Sequence, residues 1–172
     1  MTTEQNDVSV KNSLKSRTTV VAPSYDSSFS NYNAIPEGAT FKLLTFNTWG
    51  LKYVSKFRKE RLIAIADRFA SQSQTSDEKD YDIIALQEIW SSEDWEYISN
   101  VCAEKYPFRR WFSSGIIAGP GLAVLSKFPI EKSFLYRFPI NGRPSAFFRG
   151  DWYVGKSLAV TILHIGNGST IA

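Results

Sequence analysis

The chain has 172 residues, 43% of them hydrophobic and 15% aromatic, one cysteine, and a formal net charge of +3. That length accommodates one domain with a sizeable core, and the composition excludes a wholly disordered chain. The single Cys102 excludes an internal disulfide and suits a reducing compartment, while so small a positive charge identifies neither nucleic acid nor membrane as a partner.

Residues Met1 to about Thr40 are rich in Ser, Thr, Asn, Asp and Val with no sustained period, and read as a mostly disordered tail ahead of one domain over 41–172. They contain no apolar core of a signal peptide, and no run in the chain approaches the length of a membrane span. Phe41 to Phe46 is the first expected strand. It stops at Asn47, Thr48, Trp49 and Gly50, which puts a polar amide at the mouth of a buried strand. That is where a sheet enzyme keeps its chemistry, so Asn47 is expected to mark the edge of a site.

Leu51 to Ser71 reads as a helix, with Leu62, Ile65, Ala66 and Phe69 at helical spacing. The opposite face carries Lys52, Lys56, Arg58, Lys59, Arg61 and Arg68, expected to be solvated rather than bound to an anionic surface. A polar loop follows from Gln72 to Asp80. Tyr81 to Glu88 reads as the second strand, nearly continuously apolar as burial on both faces requires, and it ends in the carboxylate of Glu88. Ser91 and Asp94 have capping-box spacing and open a helix bearing Trp95, Ile98 and Cys102 on one side. Cys102 is thus expected to be a packed thiol.

After Pro107 the pattern changes to short strands: Gly121–Ser126, Ser133–Phe138 and Ser157–His164. Gly166-Asn167-Gly168 is a hairpin signal, and Ser169–Ala172 begins a returning strand. A strand cut at its start points to a fragment of a larger domain.

Strand, helix, strand from Phe41 to Glu88 reads as a parallel crossover, bringing Asn47 and Glu88 to the carboxyl ends of adjacent strands, where open sheets place ligands. An amide and a carboxylate offer hard oxygen donors. They suit Mg²⁺, which keeps several waters and takes one or two carboxylates plus a substrate phosphate. The same two residues fit equally well a helix-start acid and a turn residue.

Gly150-Asp151-Trp152-Tyr153-Val154-Gly155-Lys156-Ser157 satisfies the letter of a nucleotide-binding loop. Such a loop must open a helix whose N-terminus faces the phosphates, but a β-type run follows, and Asp151 would repel phosphate. A nucleotide partner is rejected. Asp151 and Lys156 remain as an acid and a base at either end of an aromatic loop, able to hold it as an ion pair or to exchange partners on activation. Tyr136 to Arg149, with Arg143 and Arg149 among aromatics, reads as a packed hairpin, an anionic-headgroup contact or a nucleic-acid platform. His164, the only histidine, falls near an expected turn and is read as a surface residue.

Thr45-Phe46-Asn47-Thr48-Trp49-Gly50, Leu86-Gln87-Glu88-Ile89-Trp90 and Gly121-Leu122-Ala123-Val124-Leu125-Ser126-Lys127 together resemble the DNase I-like superfamily of Mg²⁺-dependent phosphoesterases. Within it, Phe138 to Ser145 and the Gly150–Ser157 loop resemble the neutral sphingomyelinases and fungal inositol phosphosphingolipid phospholipases C. The resemblance covers about Phe41 to Ala172. It implies an α+β fold, a four-layer α/β/β/α sandwich incomplete in this chain. It implies that Glu88 ligates Mg²⁺, that Asn47 helps hold the metal–water and phosphate network, and that Asp151 and Lys156 couple the loop to an anionic phospholipid activator. Arg143 and Arg149 would meet substrate or lipid.

The implied reaction is attack of water on a phosphodiester, releasing ceramide and a phosphorylated head group at an endoplasmic-reticulum or mitochondrial membrane, with no nucleic-acid partner. A nuclease or inositol-phosphate phosphatase of the same superfamily is the alternative, as is an inactive fragment that only binds lipid. The Asn-x-His, Gly-Asp-x-Asn and terminal Asp-His segments that supply the family's base and histidine do not occur in this sequence. The chain alone is expected to be inactive.

Overall fold

The computed structural model describes residues 40–71, 80–113, 119–138, 157–166 and 169–172. The N-terminal tail, the polar loop over 72–79, the Arg143 and Arg149 run, the Asp151–Lys156 loop and Asn167-Gly168 lie outside the described residues.

Strand β1 (Leu43–Asn47) is followed by helix α1 (Arg58–Ala70), and strand β2 (Ile83–Gln87) by helix α2 (Ser92–Val101). Strands β3 (Phe108–Phe112), β4 (Leu122–Ser126), β5 (Ile130–Arg137), β6 (Ser157–Gly166) and β7 (Ser169–Ile171) complete the order. They form two sheets, β1-β2-β4-β3 and β5-β6-β7. β1 and β2 are parallel, with Asn47 opposite Gln87, as a crossover through α1 requires. The remaining pairings are antiparallel.

The two-residue period of a strand sorts β2 and β4 into two cores. Ile84 and Leu86 of β2 join Ala123 and Leu125 of β4 against Leu62, Ala66 and Phe69 of α1, Ile98 of α2, and Cys102 and Tyr106. Their neighbours Ile83 and Val124 point the other way, onto Leu163 of β6 with Phe128, Ile130 and Ile171. The near-continuous apolar run of β2 is thus explained by burial on both faces. Helices, first sheet and second sheet form three successive layers; among the described residues no helix covers the second sheet. Nor is any helix among them long and apolar enough to cross a membrane.

Three local details depart from expectation. α1 starts at Arg58 rather than Leu51, because Tyr53 (φ 67°) and Phe57 (φ 50°) take left-handed backbone that no right-handed helix accommodates. The basic face is not uniformly solvated. Arg58 pairs with Asp94 of α2, with both side chains nearly buried, and Arg61 turns back onto backbone carbonyls. The capping box is half formed: Ser91 Oγ accepts from the Asp94 N–H at 3.3 Å, while the Asp94 carboxylate is committed to Arg58. Cys102 is fully buried, and burial pushes its thiol up to about 11, as a packed thiol requires.

Candidate functional site

β1 and β2 run parallel and in register, so their carboxyl ends emerge together. Beyond the last paired residues, Thr48 is completely buried and clamps the two strand ends. Its N–H donates to Gln87 O at 3.0 Å, and its hydroxyl faces Gln87 O at 3.0 Å and Glu88 O at 3.1 Å. Gly50 packs so closely on the same carbonyl that an added Cβ would lie 2.2 Å from Glu88 O. Glu88 itself has φ 62°. This left-handed turn at the end of β2 is held from one side by Thr48 and Gly50. From the other side, Ile89 N–H donates to Gly121 O at 2.9 Å and Ile89 O accepts from Trp111 Nε1 at 3.1 Å.

Two side chains meet at this mouth. Asn47 Nδ2 donates to Glu88 Oε1 at 2.8 Å. Asn47 Oδ1 accepts from the Trp49 N–H, also at 2.8 Å, which fixes the amide's orientation. Trp49 is a second left-handed residue (φ 49°). Arg61 of α1 stabilises it three ways: Nη1 donates to Thr48 O and Nη2 to Trp49 O, each at 2.9 Å, and the guanidinium lies 4.8 Å from the Trp49 ring centroid. Gln87 Nε2 donates to Thr45 Oγ1 at 3.0 Å, a second cross-strand tie just below. The Asn47–Glu88 contact is thus set by backbone constraints on both partners.

Magnesium chemistry fits these donors. The pair presents carboxylate and amide oxygens, with one Glu88 oxygen engaged by Asn47, and the mouth is open enough that Asn47 is exposed. Among the described residues no three His, Cys, Asp or Glu side chains gather into a metal cage. One carboxylate is sufficient for an ion that keeps most of its waters and shares a substrate phosphate.

Sequence reasoning singled out Asn47 and Glu88 but assigned no part to Thr48, Gly50 or Arg61. Thr48 and Gly50 lie inside the same six-residue stretch; Arg61 had no signal, since its charge matched a solvated helix face. His164 is half-buried in β6, opposite Thr170, with its N–H donating to Pro129 O at 2.9 Å. It belongs to the second sheet, not to the mouth of β1 and β2. Asp151, Lys156, Arg143 and Arg149 lie outside the described residues.

Residues 44–169 match the Endonuclease/Exonuclease/phosphatase family. The chain belongs to that family. It is 62% identical over 141 residues to the inositol phosphosphingolipids phospholipase C of Saccharomyces cerevisiae, covering 74% of this chain and 30% of that protein. Sphingomyelinase C from Streptomyces griseocarneus shares its fold, with a TM-score of 0.58 at 21% identity over 76% of this chain and 46% of the other. Beta toxin from Staphylococcus aureus, solved with bound magnesium ions, gives a TM-score of 0.56 at 18% identity over 77% of this chain and 47% of the other. The two-sheet α/β architecture is therefore that of the Endonuclease/Exonuclease/phosphatase family. The chain spans less than a third of the yeast relative and under half of either solved structure.

Proposed function

We propose that this chain carries the metal-side half of a phospholipase C-type site that hydrolyses phosphosphingolipids, inositol phosphosphingolipid or sphingomyelin, to ceramide and a phosphorylated head group. The observation that carries the reading is the Asn47–Glu88 pair at the carboxyl ends of adjacent parallel strands, within a chain 62% identical over 141 residues to the yeast inositol phosphosphingolipids phospholipase C. Glu88 would hold Mg²⁺, whose contribution is to neutralise charge developing on a phosphoryl oxygen. Asn47 orients the Glu88 carboxylate through its amide N–H, the supporting role that outer partners of metal ligands commonly play. Thr48, Gly50 and Arg61 hold both residues in place, which keeps the carboxylate from reorganising during turnover.

Arg143 and Arg149 as lipid contacts, and Asp151 and Lys156 as a pair responding to an anionic phospholipid activator, belong to the same reading. They rest on resemblance. So does residence at an endoplasmic-reticulum or mitochondrial membrane.

The test is a chimera in which the matched residues of this chain replace their counterparts in the yeast relative. Mg²⁺-dependent ceramide release that vanishes in Glu88→Gln is the expected result. A folded chimera that hydrolyses no phosphosphingolipid, or one indifferent to Glu88→Gln, would overturn the proposal.

A further inference from the structure

The segment between β1 and α1 has two properties that extend beyond the contact of Trp49 with Asn47. It exposes large apolar side chains: Tyr53 is fully exposed, Phe57 74% and Val54 63% exposed, with Trp49 beside them at 46%. It also holds Trp49, Tyr53 and Phe57 in left-handed backbone, which disfavours side chains as bulky as these. Singly exposed apolar residues are ordinary on a protein surface, but several on one short turn, rimmed by polar groups, mark an interaction surface.

The charge around this turn points to the partner. Lys52, Lys56 and Lys59 alternate with the aromatics, and no acidic residue occurs from Trp49 to Lys59. Arg58 is neutralised by Asp94. Beyond Asp94, the described carboxylates adjoining the turn include Glu60 in the first turn of α1 and Glu93 of α2, the latter 3.9 Å from Lys52 with both side chains well exposed. So loose a contact leaves the lysine available.

The turn is also rigidly built. Ser55 N–H and Oγ both donate to Leu51 O, at 3.2 and 2.7 Å, and Arg61 N–H donates to Phe57 O at 3.0 Å. Arg61 Nε donates to Lys56 O at 3.0 Å while its other nitrogens hold Thr48 and Trp49. One guanidinium therefore ties the aromatic turn to the residues flanking Asn47.

We infer that the Leu51–Lys59 turn is a membrane-docking element, with Tyr53, Val54 and Phe57 entering the interface of an anionic bilayer and Lys52, Lys56 and Lys59 meeting its head groups. Aromatic and aliphatic side chains favour that depth, and the basic rim adds attraction to anionic lipid. Because Arg61 joins the turn to the strand mouth, docking sets Asn47 and Glu88 against the bilayer surface. The significance of that placement rests on the proposed lipid substrate; the docking itself does not.

The experiment is co-sedimentation of the 172-residue chain with vesicles of phosphatidylcholine alone and of phosphatidylcholine with phosphatidylserine. Binding to the anionic vesicles, weakened by added salt, is expected. Tyr53→Ser with Phe57→Ser should abolish most of it, and each of Lys52→Ala and Lys56→Ala should weaken it about fivefold. Circular dichroism confirms that the variants fold, as the exposure of all four side chains predicts. A spin label at Tyr53→Cys should be shielded from an aqueous quencher on vesicles, and one at Tyr97→Cys on α2 should not; the buried Cys102 stays unlabelled. Absent binding to anionic vesicles, or binding unchanged in the double aromatic variant, would overturn the inference. Neither readout needs hydrolysis, so an inactive chimera whose turn still docks would count against the phospholipase reading alone.

Discussion

Asn47 and Glu88 stand 41 positions apart in sequence and share a 2.8 Å hydrogen bond in which the amide donates to the carboxylate. The bond exists because β1 and β2 are parallel and in register, because Asn47 closes β1 directly before the buried Thr48, and because Glu88 takes left-handed backbone. Asn47 is exposed, so its replacement by Ala should change the stability of the chain by no more than about 1 kcal/mol in urea unfolding. The loss should appear in the chimera, as a drop of about 10–100-fold in magnesium affinity or turnover. Hydrogen exchange offers a check independent of activity, since the Trp49 amide loses its acceptor in the variant. Unaltered Trp49 exchange would contradict the geometry.

Gly50 should tolerate no side chain. A methyl group there would sit 2.2 Å from the Glu88 carbonyl oxygen, and the obstacle is backbone rather than a side chain that could swing away. Gly50→Ala is expected to cost about 1–3 kcal/mol, the usual range for overpacking. It should also displace Glu88, so activity of the chimera should fall beyond what the stability loss explains. An alanine variant with wild-type stability and turnover would show that the strand mouth can relax.

Much of this arrangement was legible in sequence, for physical reasons that differ by element. β1 and β2 announced themselves by runs of apolar residues, and their ends by the abrupt polar residues Asn47 and Glu88. The family resemblance carried by Thr45–Gly50, Leu86–Trp90 and Gly121–Lys127 agrees with the family match. β3 was not singled out, because Arg109 and Arg110 interrupt its pattern. In the fold, Arg109 bends back to Ser99 Oγ at 3.0 Å and Tyr106 O at 2.6 Å, so its charge is satisfied without leaving the sheet. The start of α1 was misplaced for a related reason. Leu51 to Phe57 has ordinary helix-compatible residues, and nothing local marks the left-handed Tyr53 and Phe57; in the fold Arg61 holds the Thr48, Trp49 and Lys56 carbonyls at either end of that segment.

At the opposite end of β2, an ion cluster gives a pH prediction. Lys127 Nζ lies 2.9 Å from Asp80 and 3.1 Å from Asp82, and Lys105 Nζ lies 2.9 Å from Asp80. Burial works against the Asp80 carboxylate, but hydrogen bonds from Lys127 and Lys105 outweigh it and hold the group below its ordinary value of 3.8. For Lys127, burial works against the ammonium, and Asp80 and Asp82 prevail, raising it above its ordinary 10.5. A depressed carboxyl contributes stability above its unfolded value and loses it as pH falls through the folded one; a raised ammonium contributes below its unfolded value and loses it as pH rises through the folded one. The cluster should therefore contribute at full strength from about pH 4 to about pH 10.5. The stability gap between wild type and Lys127→Met, measured by urea unfolding, should be constant in that window and narrow on both sides. A gap independent of pH throughout would mean the lysine acts only through the packing of its stem.

The Arg58–Asp94 pair is open to disruption by a single substitution. It joins the first turn of α1 to the first turn of α2, and the two side chains are only 12% and 9% exposed. Removing one partner leaves the other as a buried, uncompensated charge, which costs about 3–5 kcal/mol, whereas replacing both by apolar groups is often neutral. Arg58→Met should therefore destabilise strongly, since Asp94 loses its cation while Ser91 still holds its backbone N–H. Asp94→Leu should destabilise somewhat less, because the arginine can swing toward solvent along the surface between the helices. The double variant should recover most of the loss. Urea unfolding of the four proteins closes the cycle. Strict additivity, with the double variant as unstable as the sum of the singles, would show that the two groups are not energetically coupled and that the helix pair is held by Leu62, Ile98 and Cys102 alone.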